Sequence, residues 1–96
     1  MRRFPAPLAY ERIAEWLATT CADDGDRILR IKGALRTDAH ECVAVDAVQH
    51  QWDLPRPVEV PADLDPCIIV ITAAGSDAGT RALDRLQGIR ERVGDA

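Results

Sequence analysis

Aromatic side chains are scarce in this chain of 96 residues: Phe4, Tyr10, Trp16 and Trp52 are all there are. A core built on stacked rings is excluded, and the packing has to be aliphatic. Long apolar runs are missing as well. None approaches the roughly 18 residues that a membrane-spanning helix needs. Pro5, Pro7, Glu11 and Arg12 break up what a signal peptide would require after Met1-Arg2-Arg3. Together these absences give the expectation of a cytoplasmic chain. Cysteine is limited to Cys21, Cys42 and Cys67, odd in number, widely spaced and outside any Cys-x-x-Cys pair. That pattern argues against a disulfide framework and for reduced, buried thiols. No Gly-x-x-x-x-Gly-Lys-Ser/Thr run occurs, so there is no phosphate cradle for a nucleotide. With two histidines and scattered carboxylates, no nucleophilic triad or acid–base pair stands out. The chain is expected not to be an enzyme by itself.

What is present suits one small domain over residues 1–96, since a chain this short cannot build two independent cores. Apolar residues make up 47% and charged residues 29%, which places it among ordinary globular chains. A formal net charge of −4 weighs against general nucleic-acid binding, although distribution matters more than the sum.

The clearest local pattern is the run from Arg27 to Arg36. Read with a period of two, Leu29, Ile31, Gly33 and Leu35 share one face; Ile28, Arg30, Lys32, Ala34 and Arg36 share the other. The segment 37–41 returns the chain as a hairpin into the run from Cys42 to Asp53. If Arg36 faces Cys42, then Leu35 meets Val43, Gly33 meets Val45, Ile31 meets Ala47 and Lys32 meets Asp46. One register makes both faces coherent, and a one-residue slip spoils both. Near Gln49 the bulk changes sides, to Val48, His50 and Trp52, so either a bulge re-aims Trp52 or the strand end leaves the sheet.

Around this hairpin the other elements follow in order. Phe4 to Leu8, broken by prolines, reads as the end of an edge strand. Ala9, Ile13, Trp16, Leu17, Thr20 and Cys21 form a helical apolar stripe that places Trp16 in the core, with an exit turn at 23–26. Leu54 to Pro66 carries Pro55, Pro57, Pro61 and Pro66 and reads as an extended connection. Cys67 to Thr72 is apolar at nearly every position, as a central strand covered on both faces would be. A turn ending at Asp77 caps a second helix with its stripe at Leu83, Leu86, Ile89 or Arg90, and Val93. Gly88 within it costs about 1 kcal/mol relative to alanine, and Gly94 suits its end. The sum is an α+β fold, β-α-β-β-β-α. It implies a four-stranded, mostly antiparallel sheet of order 1-4-2-3, with both helices on one face in a ferredoxin-like architecture.

Several of these stretches carry a resemblance. Leu29-Arg30-Ile31-Lys32-Gly33, then Val45-Asp46-Ala47-Val48-Gln49-His50, resemble the "LLRxKG" and "V-x-x-V-Q-H" strands of the C-terminal domain of CobW-like GTPases. Leu54-Pro55-Arg56-Pro57 and Ile68-Ile69-Val70-Ile71-Thr72 follow in the family's order, and Pro7-Leu8-Ala9-Tyr10 with Glu15-Trp16-Leu17 resemble the start of its first helix. The resemblance covers nearly the whole chain. It implies a non-catalytic accessory domain of a protein associated with metal delivery and cobalamin-related metal insertion, a metallochaperone. GTP, and zinc or cobalt, are implied only for a full-length parent, whose N-terminal domain carries the P-loop and a Cys-x-Cys-Cys motif. The implied partners are that GTPase domain, a client protein or another copy. Many relatives have "I-T-R-G" where this chain has Ile71-Thr72-Ala73-Ala74-Gly75, so a contact made by that arginine is in doubt. Beginning at Met1, the chain reads either as a domain cut from a longer protein or as a stand-alone copy.

Two sites can be named from the residues. His40 and Cys42 point the same way about 7 Å apart in an extended segment, a start for a zinc site. His50 has the same parity but lies about 27 Å from Cys42 along a strand, too far to join it. A small metal-binding protein using His40 and Cys42 is therefore the alternative function. The other candidate is the sheet face opposite the helices, with Arg30, Lys32, Arg36, Asp46, His50, Trp52, Ile68 and Val70 assigned to it. RNA-binding sheets present aromatics in their central strands, and these positions are Arg30, Lys32, Ile68 and Val70. Docking of a protein is the expected use, with no nucleic acid and no membrane. A first strand reduced to Phe4–Ala6 would leave much of the Cys67–Thr72 edge unpaired, from which a two-fold homodimer is expected.

Overall fold

The computed structural model describes residues 1–39, 41–61 and 65–94, with side chains described as far as residue 89. The elements in order are β1 (Arg2–Arg3), α1 (Tyr10–Asp24), β2 (Ile28–Arg36), β3 (Cys42–Val48), β4 (Gln51–Trp52), β5 (Arg56–Val58), β6 (Cys67–Thr72) and α2 (Ala78–Gly94). The fold is α+β. All strand pairs are antiparallel, in the order β1-β6-β2-β3-β4, with β5 also paired to β3. The four expected strands keep their relative order, and two short strands are added on the outer edge of β3.

The β2–β3 register matches expectation from Arg36↔Cys42 to Ile31↔Ala47. Lys32 does face Asp46, yet the ion pair of Asp46 is with Arg30, at 3.3 Å on the diagonal. The start of β2 departs from the period-two reading. A bulge between Ile28 and Arg30 inserts one residue against β6 and reverses the parity there. Ile28 is consequently buried, and Leu29, expected inside, is exposed.

β6 also corrects the expectation. It is covered on one face only, and its buried side holds Ile68, paired with Gly33, and Val70, paired with Ile31. Ile69 and Ile71 take the other face. β1 lies at Arg2–Arg3 rather than within Phe4–Ala6. Phe4 leaves the sheet as a core plug, 2% exposed, with its N–H donated to the Pro66 carbonyl at 2.8 Å. Pro5 and Pro7, lacking N–H groups, cannot continue a ladder.

Both helices pack on the same face of the sheet. The α1 stripe of Ile13, Trp16, Leu17 and Cys21 and the α2 stripe of Ala78, Ala82, Leu83 and Leu86 share one cluster with Ile31, Leu35, Val43, Val45 and Ile68. Trp16 joins the helices: its buried indole N–H donates to the Ala82 carbonyl at 2.8 Å. Asp24, nearly buried, faces Arg27, Arg81 and Arg85 at 3.6, 3.8 and 3.5 Å and ties the end of α1 to the start of α2. Ser76 Oγ accepts the Ala78 N–H at 3.2 Å, so the side-chain cap comes from Ser76 in place of the expected Asp77, whose carboxylate faces Arg81 at 3.6 Å. The expected contribution of Val93 to the stripe falls outside the described side chains.

Two glycines set how closely the layers meet. A Cβ on Gly33 would collide with the Cys67 carbonyl oxygen and lie 2.9 Å from the Ile68 Cα. One on Gly79 would lie 2.8 Å from Thr72 Cγ2. Both permit close approach to β6. Gly88, in contrast, has open space where a Cβ would stand.

Candidate functional site

With both helices on one side, the other side of the sheet has no second layer among the described residues. Alternation along the strands decides what stands there. β2 contributes Arg30, Lys32, Ala34 and Arg36; β3 contributes Ala44, Asp46 and Val48; β6 contributes Ile69 and Ile71. Ile69 and Ile71 are 44% and 53% exposed and Val48 is 49% exposed. Cross-strand pairing sets Ile69 beside Lys32, and sets Arg30 between Ile71 and Val48. The result is an aliphatic patch interleaved with cations.

At one end of this sheet, Gln49, at φ 53°, and His50 form the turn that sends β4 back along β3. The His50 ring lies over Gly25 at the end of α1, where any Cβ would strike it. Its two nitrogens meet two acceptors, the Cys21 carbonyl at 2.8 Å from Nδ1 and the Asp26 carboxylate at 2.9 Å from Nε2. A neutral imidazole can donate from only one nitrogen, so the arrangement is complete only in the protonated ring. The Cys21 carbonyl belongs to the last turn of α1, where carbonyls lack helical partners and a cation is favoured.

A family model described as the cobalamin synthesis protein cobW C-terminal domain matches residues 1–87. The chain belongs to this family. Comparisons with curated proteins and with solved structures returned no match. In this CobW C-terminal domain the resemblance-bearing residues divide by role. Gly33, ending the Leu29–Gly33 stretch, is required by the close approach of β6, and His50, ending Val48-Gln49-His50, caps α1. Arg30 and Lys32, between them, point to the open face.

Of the residues assigned to that face from the sequence, Arg30, Lys32, Arg36 and Asp46 stand on it. Ile68 does not: it is fully buried beneath α2. Val70 packs partly against the core, and so does Trp52, which pairs with the inward-facing Ala47. His50 serves the helix end. The parity of Cys67–Thr72 could not be read, because an all-apolar strand has no alternation to read; Ile69 and Ile71 were missed for that reason. His40 lies outside the described residues. Cys42 is a buried thiol between Arg36 and Val58. Among the described residues no three His, Cys, Asp or Glu side chains converge on a metal position. A cleft of about 290 Å³ between the helices is lined by Arg12, Glu15, Trp16, Thr19, Arg85 and Ile89, without an imidazole or thiol to activate a nucleophile. No described helix is long and apolar enough to cross a membrane.

The cap of this CobW C-terminal domain makes its stability depend on pH. The hydrogen bond to Asp26, then that to the Cys21 carbonyl, raise the His50 pKa above its ordinary 6.5. The same bond and the imidazolium charge lower Asp26 below 3.8. Both shifts describe one contact. Its stabilisation is fully present between the two ordinary values, is lost as pH rises through the raised value of His50, and is lost as pH falls through the lowered value of Asp26. The melting midpoint is expected to fall as pH rises above about 6.5 through the raised value of His50, and His50→Gln to remove that part of the fall. Equal slopes in the two proteins would refute the cap.

Proposed function

We propose that this chain is a non-catalytic accessory domain that works by docking on protein, either the GTPase domain of a CobW-like parent or its client in metal delivery. The observation that carries this reading is the open sheet face, where Ile69, Ile71 and Val48 stand in water among cations. Isolated exposed aliphatics are ordinary, but a contiguous group on an unlayered face indicates an interaction surface. The layering, two helices on one side of an antiparallel sheet, is read as ferredoxin-like with rearranged connectivity. Metal is cargo of the parent in this reading, not a resident of this chain. The alternative, a metal site at His40 and Cys42, is less well supported, since Cys42 is buried and lacks convergent ligands among the described residues.

The test mixes the chain with a CobW-family GTPase domain and follows association and GTP turnover. The chain alone is expected to give no turnover above buffer. Mixing is expected to yield a complex and a changed rate, both lost in Ile69→Asp, whose exposed position leaves folding intact. Turnover by the isolated chain, or a complex indifferent to Ile69→Asp, would overturn the proposal.

A second reading has its own observation. β1 pairs only with Cys67 and Ile68, so Ile69 to Thr72 have no strand on that side among the described residues. A second copy can pair there in two-fold fashion. Light scattering on the 96-residue chain at micromolar concentration is expected to give a dimer mass; a monomer mass at every concentration rules it out.

A further inference from the structure

The geometry points to one kind of partner for the open face, which we infer to be a helix displaying carboxylates beside aliphatic side chains. This rests on the docking reading above and adds the chemistry of what docks. Two columns run side by side on the face. β6 presents Ile69 and Ile71, and β2 presents Lys32 opposite the first and Arg30 opposite the second. Along each column the two side chains are about 6.6 Å apart, and the columns themselves lie about 4.8 Å apart. Side chains three and four residues apart on a helix are separated by about 5–6 Å. One helix laid along the columns can therefore set an apolar row on the isoleucines and an acidic row on the cations. Val48 flanks Arg30 on the far side and widens the apolar contact.

Charge points the same way. Register and alternation place Arg3, Arg30, Lys32, Arg36 and Arg56 on this face against two carboxylates, Asp46 and its cross-strand neighbour Asp53, although the whole chain carries a net charge of −4. On the helix side Arg2 meets Asp84, and Arg27, Arg81 and Arg85 share Asp24; among the described cations there, Arg12 alone has no carboxylate within ion-pair distance. On the open face only Arg30 has a partner; among the described residues Arg3, Lys32, Arg36 and Arg56 have no carboxylate within ion-pair distance. Glu41 and Glu59 share a cleft with Arg36, so the footprint lies at the other end, around Lys32 and Arg30. Unmatched charge on one face selects a partner of opposite sign.

The other occupants fit less well. A second copy stacked face to face would set Lys32 and Arg30 against the same cations. Single-stranded nucleic acid needs rings to stack on. Phe4 and Trp16 are buried, Trp52 packs on the core, and Tyr10 donates its hydroxyl to the Pro55 carbonyl, so no aromatic faces this side.

The test is an NMR titration of the isotope-labelled 96-residue chain with three probes: a helical peptide carrying Glu and Leu rows, the same peptide with Lys for Glu, and oligothymidine. The Glu/Leu peptide is expected to shift the amides of Lys32, Ile69 and Ile71. Lys32→Glu and Ile71→Ser should each weaken it by about tenfold or more, with far-UV circular dichroism showing both variants folded at the titration temperature; Lys32→Glu, opposite Asp46, is expected to melt somewhat lower. Absence of binding by the Glu/Leu peptide, equal binding of the Lys peptide, or tighter binding of oligothymidine at these residues would overturn the inference. So would shifts at these amides on simple dilution of the chain, which would assign the face to self-association. A GTPase domain that still binds Lys32→Glu normally sinks the acidic-helix partner and leaves the accessory reading standing.

Discussion

Gly33→Ala is expected to cost about 3 kcal/mol or more, a large effect for a single methyl. The new Cβ would strike the carbonyl oxygen of Cys67 and sit 2.9 Å from the Ile68 Cα, both main-chain atoms of β6. A flexible side chain can swing away from such a contact; a paired strand cannot. Relief would require β2 and β6 to separate at the Gly33↔Ile68 pair, directly over the fully buried Ile68. Denaturant unfolding followed by far-UV circular dichroism measures the loss. Gly88→Ala is the matched control, since its Cβ meets nothing within 4 Å; removing a glycine from a helix there should add about 0.5–1 kcal/mol. If the two variants unfold at the same midpoint, the close approach of β2 and β6 is wrong.

Trp16→Ala is expected to lose about 3–5 kcal/mol, a large part of the 5–15 kcal/mol typical of a whole domain. The side chain is 4% exposed and sits where α1 and α2 meet. Its removal opens a cavity between the helices and strips the Ala82 carbonyl of its 2.8 Å donor. Trp16→Phe separates these effects. It keeps an aromatic ring and loses the indole N–H, so its expected cost is lower, about 1–2 kcal/mol. Because Trp16 is itself a fluorophore, circular dichroism is the proper probe. A Phe variant as damaged as the Ala variant would mean that the hydrogen bond, not the volume, holds the helices together.

Most of the hairpin was legible in the sequence because Arg27–Arg36 alternates, and alternation carries the register with it. The same rule misled at Ile28 and Leu29, where both residues are aliphatic and a bulge exchanges their faces without any change in composition. In Cys67–Thr72 it had nothing to act on. The shift of bulk near Gln49 was legible but its form was not: β3 ends at Val48 in a tight turn into β4, neither a bulge nor a strand leaving the sheet. Tight hairpin turns are usually announced by Asn or Gly, and here a glutamine takes the positive φ. The role of His50 depends on Gly25 and Asp26, which lie on the far side of the hairpin in sequence. Distance of that kind leaves no local trace, so the histidine read as one more polar residue on a sheet face.

β4 and β5 occupy the outer edge of β3 between them, with Trp52 and Gln51 on Ala47 and Val48, and Arg56 to Val58 on Ala44 to Cys42. Among the described residues the sheet thus ends in short strands on one margin and leaves Ile69 to Thr72 without a strand on the other. Growth by strand addition has a direction and a stopping point. An object with two free margins can string copies into a fibre, whereas one with a single free margin is satisfied by the first neighbour it meets. Two strands of two and three residues thus blunt one margin, and if copies do pair edge to edge as proposed above, a pair closed about a two-fold axis is the expected end point.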